Sequence, residues 1–362
     1  MPSPYVRFEM KVNGQDLKME ESRLLNFLYY HSIRGSAQYY VYCTDKKWNY
    51  YDQLYEPGTE VQIRFGRKDG STSLWSPTHT MLVGEVEAHY HPQCVFVNVT
   101  GMDKGVKLFE RCSQKVWKDK KISEIVTELA GESELDTQVE STKGKFNLTQ
   151  ALMPDGHYIQ KVLLPLAYNA SRQDYLCYIK EGKTLVFEPP DVGSSQATLK
   201  YPGVEGGYGP IEPPIIHFRP IRLPANGAWS DECRAVNPFK KKGEFFKADD
   251  GSVQLKKLAS QTPSPPDNPA RLCHTIYSEQ DTLENVTKAE WSRRARELWI
   301  VDTKTIISPE IEVGKAIKLE MTSDDGESHF ASGKYLVAGM MHWIDTMAQR
   351  SYTRLWLMRR SK

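Results

Sequence analysis

Residues 116–135 read VWKDKKISEIVTELAGESEL. Ile122, Ile125, Val126 and Leu129 fall at i, i+3, i+4 and i+7, which is one face of an α-helix. Gly131 follows the last apolar position, where a left-handed residue commonly ends a helix. The spacing predicts one amphipathic helix of roughly two turns, too short to stand alone in water. It must therefore dock on something. The chain on either side alternates like β-structure, so this stretch marks a change of architecture.

Upstream, residues 5–111 read as strands. YVRFEMKVNG alternates and ends in Asn13-Gly14, a hairpin-type turn signal. QYYVYCT, TEVQIRFG, HTMLVGEVEAHYH and CVFVNVTGMD follow the same pattern. DKKWNYYDQLYEPG is expected to be a short helix or turn closed by Pro57-Gly58. Strands at this spacing suggest a small barrel or sandwich.

Downstream, DGHYIQKVLLPLAYNAS reads as a second helix with Asp155 as N-cap, ended or kinked near Leu164 by Pro165. DYLCYIKEGKTLVFEPP reads as a hairpin whose alternating strands flank Glu181-Gly182-Lys183, with Pro189-Pro190 stopping the second. Residues 191–280 are rich in Gly and Pro and are expected to be an extended connector with at most edge strands. NPFKKKGEFFKADDG and SQTPSPPDNPA resemble exposed loops. Thr287 to Glu290 forms a capping box opening the helix KAEWSRRARELWI. The strand-like stretches GKAIKLEMTS, GKYLVAGMMHWID and YTRLWLMRR complete the chain. No repeat of 20 to 50 residues is evident. The fold class is β-rich α+β.

Bulk properties narrow the function. The 362 residues carry 47 Lys+Arg against 46 Asp+Glu, a net charge of +1, so charge points to neither nucleic acid nor membrane. Mean hydropathy is −0.55 and no run of 18 apolar residues occurs, which argues against a transmembrane helix. MPSPYVRFEM has no apolar core of a secretory signal. Six scattered cysteines lack a C-x-x-C pair and read as reduced thiols in a protein made in a cytosol.

Chemical motifs are sparse. His89 and His91 share one face of a strand, which is how a metal site can begin, but no third ligand sits at a telling spacing. An exposed strand end is the plainer reading. Gly206-Gly207-Tyr208-Gly209 lacks the Lys-Ser/Thr of a phosphate loop. No G-x-S-x-G elbow or H-E-x-x-H helix occurs. Carboxylates such as Glu85, Glu87, Asp249 and Asp250 read as solvated, and Lys240–Lys242 and Arg293-Arg294 as solvated basic runs. No catalytic, cofactor-binding or metal residue is assigned, and an enzyme is not the leading class.

The order of elements is more specific than any motif. VTGMDKGVKLFERCSQKVW leads into KDKKISEIVTELAGESEL, then YIQKVLLPLA, then DYLCYIKEGKTLVFEPP. This order resembles the hub proteins of contractile phage tails, with the late-control tail proteins and the hub-like N-terminal part of type VI secretion spike proteins as related forms. Ile122, Ile125, Val126, Leu129 and Ala130 match the family's I-x-x-I-(V/I)-x-x-(L/V)-A stretch. Tyr178, Ile179, Glu181, Gly182, Leu185 and Phe187 match its hairpin, and Ser332, Gly333, Tyr335, Val337 and His342 its second barrel. The similarity covers residues 1–190 and 282–362.

The resemblance implies two tail-tube-like antiparallel β-barrels, at 1–111 and 282–362, the second completed by strands from 201–230. An α/β insert at 112–200 and an irregular connector at 201–281 lie between them. It implies a homotrimeric, pseudo-six-fold ring with tube-type protein above and a central spike below, and a baseplate wedge or tape-measure protein alongside. The ring would sit in the virion's tail baseplate, with DNA passing through its lumen unbound and no insertion into a membrane. The short helix would brace the barrels from outside. Spike and any cell-wall hydrolase are expected to be separate chains. Two rival readings are a cell-wall or polysaccharide hydrolase, suggested by 8 Trp and 19 Tyr, and a carbohydrate- or receptor-binding tail module.

Overall fold

A computed structural model describes residues 5–17, 24–45, 49–69, 72–171, 173–201, 213–222, 233–236, 244–246, 272–275, 285–286, 289–290, 292–293, 300–322, 326–329 and 331–359. Gly206–Gly209, Lys240–Lys242, Asp249, Asp250, Thr287 and Arg294 lie outside these residues.

The N-terminal strands are β1 (Tyr5–Val12), β2 (Gln15–Leu17), β3 (Leu24–Ser32), β4 (Gln38–Asp45), β5 (Glu60–Asp69), β6 (Thr72–Trp75), β7 (His79–His91) and β8 (Cys94–Asp103). Helix α1 (Asn49–Leu54) lies between β4 and β5, and α2 (Val106–Glu110) follows β8. The middle of the chain holds β9 (Cys112–Lys120), α3 (Ile122–Glu132), β10 (Asp136–Val139) and β11 (Phe146–Pro154). It continues through α4 (Asp155–Tyr158), a π turn (Ile159–Leu163), α5 (Leu164–Leu166), β12 (Leu176–Lys180) and β13 (Thr184–Glu188). Then come β14 (Asp191–Tyr201), β15 (His217–Arg222) and a separate three-stranded sheet of β16 (Cys233–Val236), β17 (Glu244–Phe246) and β18 (Leu272–Thr275). The C-terminal strands are β19 (Ile300–Thr305), β20 (Lys315–Met321), β21 (Gly333–Asp345) and β22 (Arg350–Met358). Residues 285–286, 289–290 and 292–293 are helical.

One large, mostly antiparallel sheet dominates, and it contains the same module twice. Its N-terminal part runs β3-β4-β8-β7-β5-β1, and its C-terminal part β15-β19-β22-β21-β20-β14. In both, the central long strand bulges one residue after a matching valine: between Val83 and Glu85 in β7, and between Val337 and Gly339 in β21. In both, a left-handed glycine donates its N–H to that valine's carbonyl, Gly58 to Val83 and Gly314 to Val337. The diagonal pair Tyr40 and Asn98 is hydrogen-bonded in the first module, and the equivalent Asp302 and Arg354 in the second. The match breaks at one edge, where β1 runs antiparallel to β5 but β14 parallel to β20.

The ladders do not form two closed barrels. Among the described residues no ladder joins β1 to β3; instead β3 pairs with β21, fusing the two modules edge to edge. Side chains still meet across each module. Phe8 on β1 and Phe27 on β3 have ring centroids 4.8 Å apart, and an isolated bridge at Lys200–Pro214 brings β14 to the segment entering β15. Alternation along β4 and β8 sends every second residue into this common core, as a half-buried sheet requires.

The middle of the chain folds around its own core. Ile122, Ile125, Val126, Leu129 and Ala130 of α3 are buried with Trp117, Phe146, Ile159, Leu163 and Phe187. The helix is longer than its spacing predicted, and Gly131 lies inside it without a positive φ. The left-handed residue is Glu134 (φ 58°), placed where the chain must turn so that Leu135 can be buried. At the other end Lys121 N–H donates to Glu124 Oε2 at 2.9 Å, and Ser123 and Thr142 exchange backbone-to-hydroxyl bonds.

Asp155 is not a helix cap. Pro154 holds that position, and the buried Asp155 carboxylate instead accepts from Gln150 Nε2 at 2.6 Å and lies 3.5 Å from Arg111. Pro165 lies in the last turn of the helix, which ends just beyond Leu164, at Leu166. The ladder widens to a π turn immediately before it and carries on to Leu166, because a proline cannot complete a regular i to i−4 bond.

Candidate assembly seam

The hairpin β12–β13 is the keystone of the molecule. Its turn is Glu181 (φ 52°) and Gly182 (φ 75°), with Lys183 N–H donating to Lys180 O at 3.2 Å. Two consecutive left-handed residues are what a right-twisted two-residue hairpin needs. The expected simple alternation is absent, since both faces of each strand are buried. Cys177, Ile179 and Leu185 face the α3 core, while Leu176, Tyr178 and Val186 pack against Leu336, Ala338 and Met358 of the C-terminal module.

The hairpin tip reaches the other module. Thr80 N–H donates to Glu181 O and Lys104 N–H to Gly182 O, both at 2.9 Å. A Cβ at Gly182 would lie 1.9 Å from the Thr80 carbonyl oxygen, so only glycine permits this approach. The helix α3 therefore braces the hairpin, and the hairpin braces both modules; among the described residues, α3's buried cluster holds no residue of the large sheet.

The modules meet at the β3–β21 ladder, in register from Gly339 opposite Ser32 to Asp345 opposite Asn26. Beneath it lies a polar cluster that no motif in the sequence announces. His31, His79 and His342 are all buried with Tyr29 and Phe65. Tyr29 Oη shares a hydrogen bond with His79 Nδ1 at 3.1 Å, and His342 Nδ1 with Thr353 Oγ1 at 2.9 Å. Burial pushes His31 down to about 4, against a backbone hydrogen bond to Ile179. Burial takes His79 and His342 down to about 3, reinforced by the repulsion a neighbouring imidazolium would exert. All three are neutral at pH 7. Nearby, burial raises Asp103 to about 7 even though its carboxylate accepts from Ala37 N–H at 2.6 Å and Gly105 N–H at 2.9 Å.

His89 and His91, read above as the possible start of a metal site, lie exposed near the β7–β8 tip. His89 faces Glu87 at 3.6 Å, and among the described residues no group of three or more His, Cys, Asp or Glu converges as a metal site. Cys43, Cys94, Cys112 and Cys177 are free thiols. Among the described residues no helix is long and apolar enough to cross a membrane. A concavity at the hairpin's flank is lined by Ile33, Arg34, Gln160, Lys161, Leu164 and Tyr175, with no carboxylate or imidazole among its lining residues.

No family model and no curated protein matches the sequence. Solved structures do match, over nearly the whole chain. The tail protein of Neisseria meningitidis MC58 superposes with a TM-score of 0.66 at 11% identity, covering 98% of this chain and 97% of its own. The 43 kDa tail protein of prophage MuSo2 from Shewanella oneidensis gives 0.63 at 12% identity, covering 98% of each. An E. coli component of the type VI secretion system, itself described as similar to the T4 tail proteins gp27 and gp5, gives 0.55 at 10% identity over 98% of this chain and 77% of its own. From one end to the other, this chain has the fold shared by phage tail proteins and that type VI secretion component.

Proposed function

We propose that this chain is a structural baseplate hub protein of a phage tail or a tail-derived injection machine. Three copies form a ring that joins a six-fold tail tube to a three-fold central spike and lines the ejection channel. The observation that carries this reading is the duplicated sheet module, fused edge to edge within one chain. Two equivalent units per chain, closed by a three-fold axis, present six units to the tube and three chains to the spike. Both modules curl about the shared core, and the seam carries the wall from one module to the next. The role is scaffolding rather than catalysis, with tube-type protein, spike and a wedge or tape-measure protein as partners.

The test is native mass, measured for the chain alone and then mixed with the product of the neighbouring spike gene. A species near 3 × 41.5 kDa, about 125 kDa, in either condition supports the ring. A monomer in both overturns it.

A further inference from the structure

The seam inside the chain is a template for a seam between chains. In β21, the residues before the bulge pair with β20 of the same module, and those after it, Gly339–Asp345, pair with β3 of the other. β7 is built the same way. His79–Leu82 pairs with β5, Val83 is held by Thr59 and Gly58, and the bulge follows. Glu85–His91 then runs seven residues, as Gly339–Asp345 does (91 − 84 and 345 − 338). Among the described residues, this stretch has β8 on one side and no ladder on the other. The strand equivalent to β3 in the second module is β15, and among the described residues it too ends the sheet, with β19 the one strand laddered to it.

We infer that Glu85–His91 of β7 adds as an antiparallel strand to β15 of a second copy of this chain. This inference rests on the ring reading and names the surface that closes the ring. Each copy offers β7 to one neighbour and β15 to the other, a head-to-tail contact of the kind that generates closed rings.

The register follows from the template. Thr100, partner of Glu85, matches Trp356, partner of Gly339; through them Tyr40 matches Asp302. Pairing along β3–β4 and β15–β19 then equates Asn26, Phe27 and Leu28 with His217, Phe218 and Arg219. Since Asp345, Ile344 and Trp343 lie opposite Asn26, Phe27 and Leu28, the contact places His91 opposite His217, Tyr90 opposite Phe218 and His89 opposite Arg219.

Surface chemistry agrees. Tyr90 is 76% exposed on β7 and Ile216, entering β15, is 60% exposed, two large apolar side chains on the two open edges. The β7 stretch carries Glu85 and Glu87, whereas β15 reads HFRPIR, with two arginines and no acid. Pro220 removes one donor from β15, so the ladder inferred here has at most one bond fewer at that residue.

The experiment is disulfide trapping in the full chain. Opposed residues of an antiparallel pair sit about 4.5–5.5 Å apart at Cα, within disulfide range. The double variant His89→Cys/Arg219→Cys, mildly oxidised, is expected to give a non-reducing ladder up to a covalent trimer that either single variant lacks. Tyr90→Glu, altering an exposed side chain, is expected to shift native mass from trimer to monomer while the far-UV circular dichroism of the folded chain is unchanged. A native trimer with no cross-link, or one untouched by Tyr90→Glu, overturns the seam and leaves the ring reading standing. A monomer under every condition, spike included, overturns both.

Discussion

His342 on β21 lies directly opposite Tyr29 on β3, their rings stacked with centroids 6.2 Å apart, so the seam between the modules is filled by a histidine and a tyrosine. Tyr29 Oη and His342 Nδ1 are bonded outward, to His79 and Thr353, while the buried His342 Nε2 has no hydrogen-bond partner among the described residues. A buried polar group without a partner costs more than the bond itself returns. The two outward bonds therefore offset only part of the cost of a polar seam.

Tyr29→Phe is expected to destabilise the chain by about 1–3 kcal/mol, because it strands His79 Nδ1 in the core. Tyr39→Phe is the contrast. Tyr39 is equally buried but its hydroxyl makes no hydrogen bond, so removal should be neutral or stabilising. Urea unfolding of the two variants decides it, and equal losses would refute the hydrogen-bond account.

Stability is expected to fall as pH drops from 7 toward 5. His31, His79 and His342 have folded-state values far below the ordinary 6.5, so near pH 5 only the unfolded chain binds their three protons. Asp103, raised to about 7, works in the opposite direction, because there the folded chain holds the extra proton; buried Glu310 is raised as well and adds to that opposition. The three histidines outweigh these two acids and leave a net slope on the order of 1 kcal/mol per pH unit. Denaturant midpoints at pH 7 and pH 5 measure it, and a flat or inverted profile would contradict the buried neutral histidines.

Gly182→Ala should cost well over about 1 kcal/mol, since the new methyl meets the Thr80 carbonyl and the residue has φ +75°. Gly131→Ala should do the reverse and stabilise by about 0.5–1 kcal/mol, as that glycine sits in α3 with nothing near its missing Cβ. Thermal melts of both report whether the hairpin tip really docks on β7.

Leu129→Ala, a fully buried position on α3, is expected to lose about 2–5 kcal/mol. Protection of β12–β13 amides from hydrogen exchange should fall with it, because the helix core is the hairpin's support. Loss confined to α3 would show that the brace is not transmitted.

Local signals were readable because they act over a few residues. The face Ile122, Ile125, Val126 and Leu129 is a consequence of 3.6-residue periodicity, and the Glu181-Gly182 turn of conformational preference at two adjacent positions. Where the reading failed, distant packing had overruled a local preference. Gly131 lost the left-handed position to Glu134 because burying Leu135 sets where the chain turns. Asp155, a good cap by type, is taken up by Gln150 and by Arg111, which lies just ahead of the insert. The three buried histidines carried no signal, as His31, His79 and His342 are scattered in sequence and meet only once β3, β7 and β21 pair.

The sequence by itself determined the β-rich class, the single amphipathic helix and the hairpin, since each depends on the periodicity or torsional freedom of a continuous stretch. Tertiary structure decided that the two modules share one sheet, and that β3 pairs with β21 rather than closing on β1. It also decided that, among the described residues, β7 beyond its bulge and β15 each have a ladder on one side. Those outcomes turn on which backbone hydrogen bonds between remote strands win, and backbone groups are chemically the same in every strand. Only the register, the bulges after Val83 and Val337, and the buried contacts across the seam distinguish one partner from another.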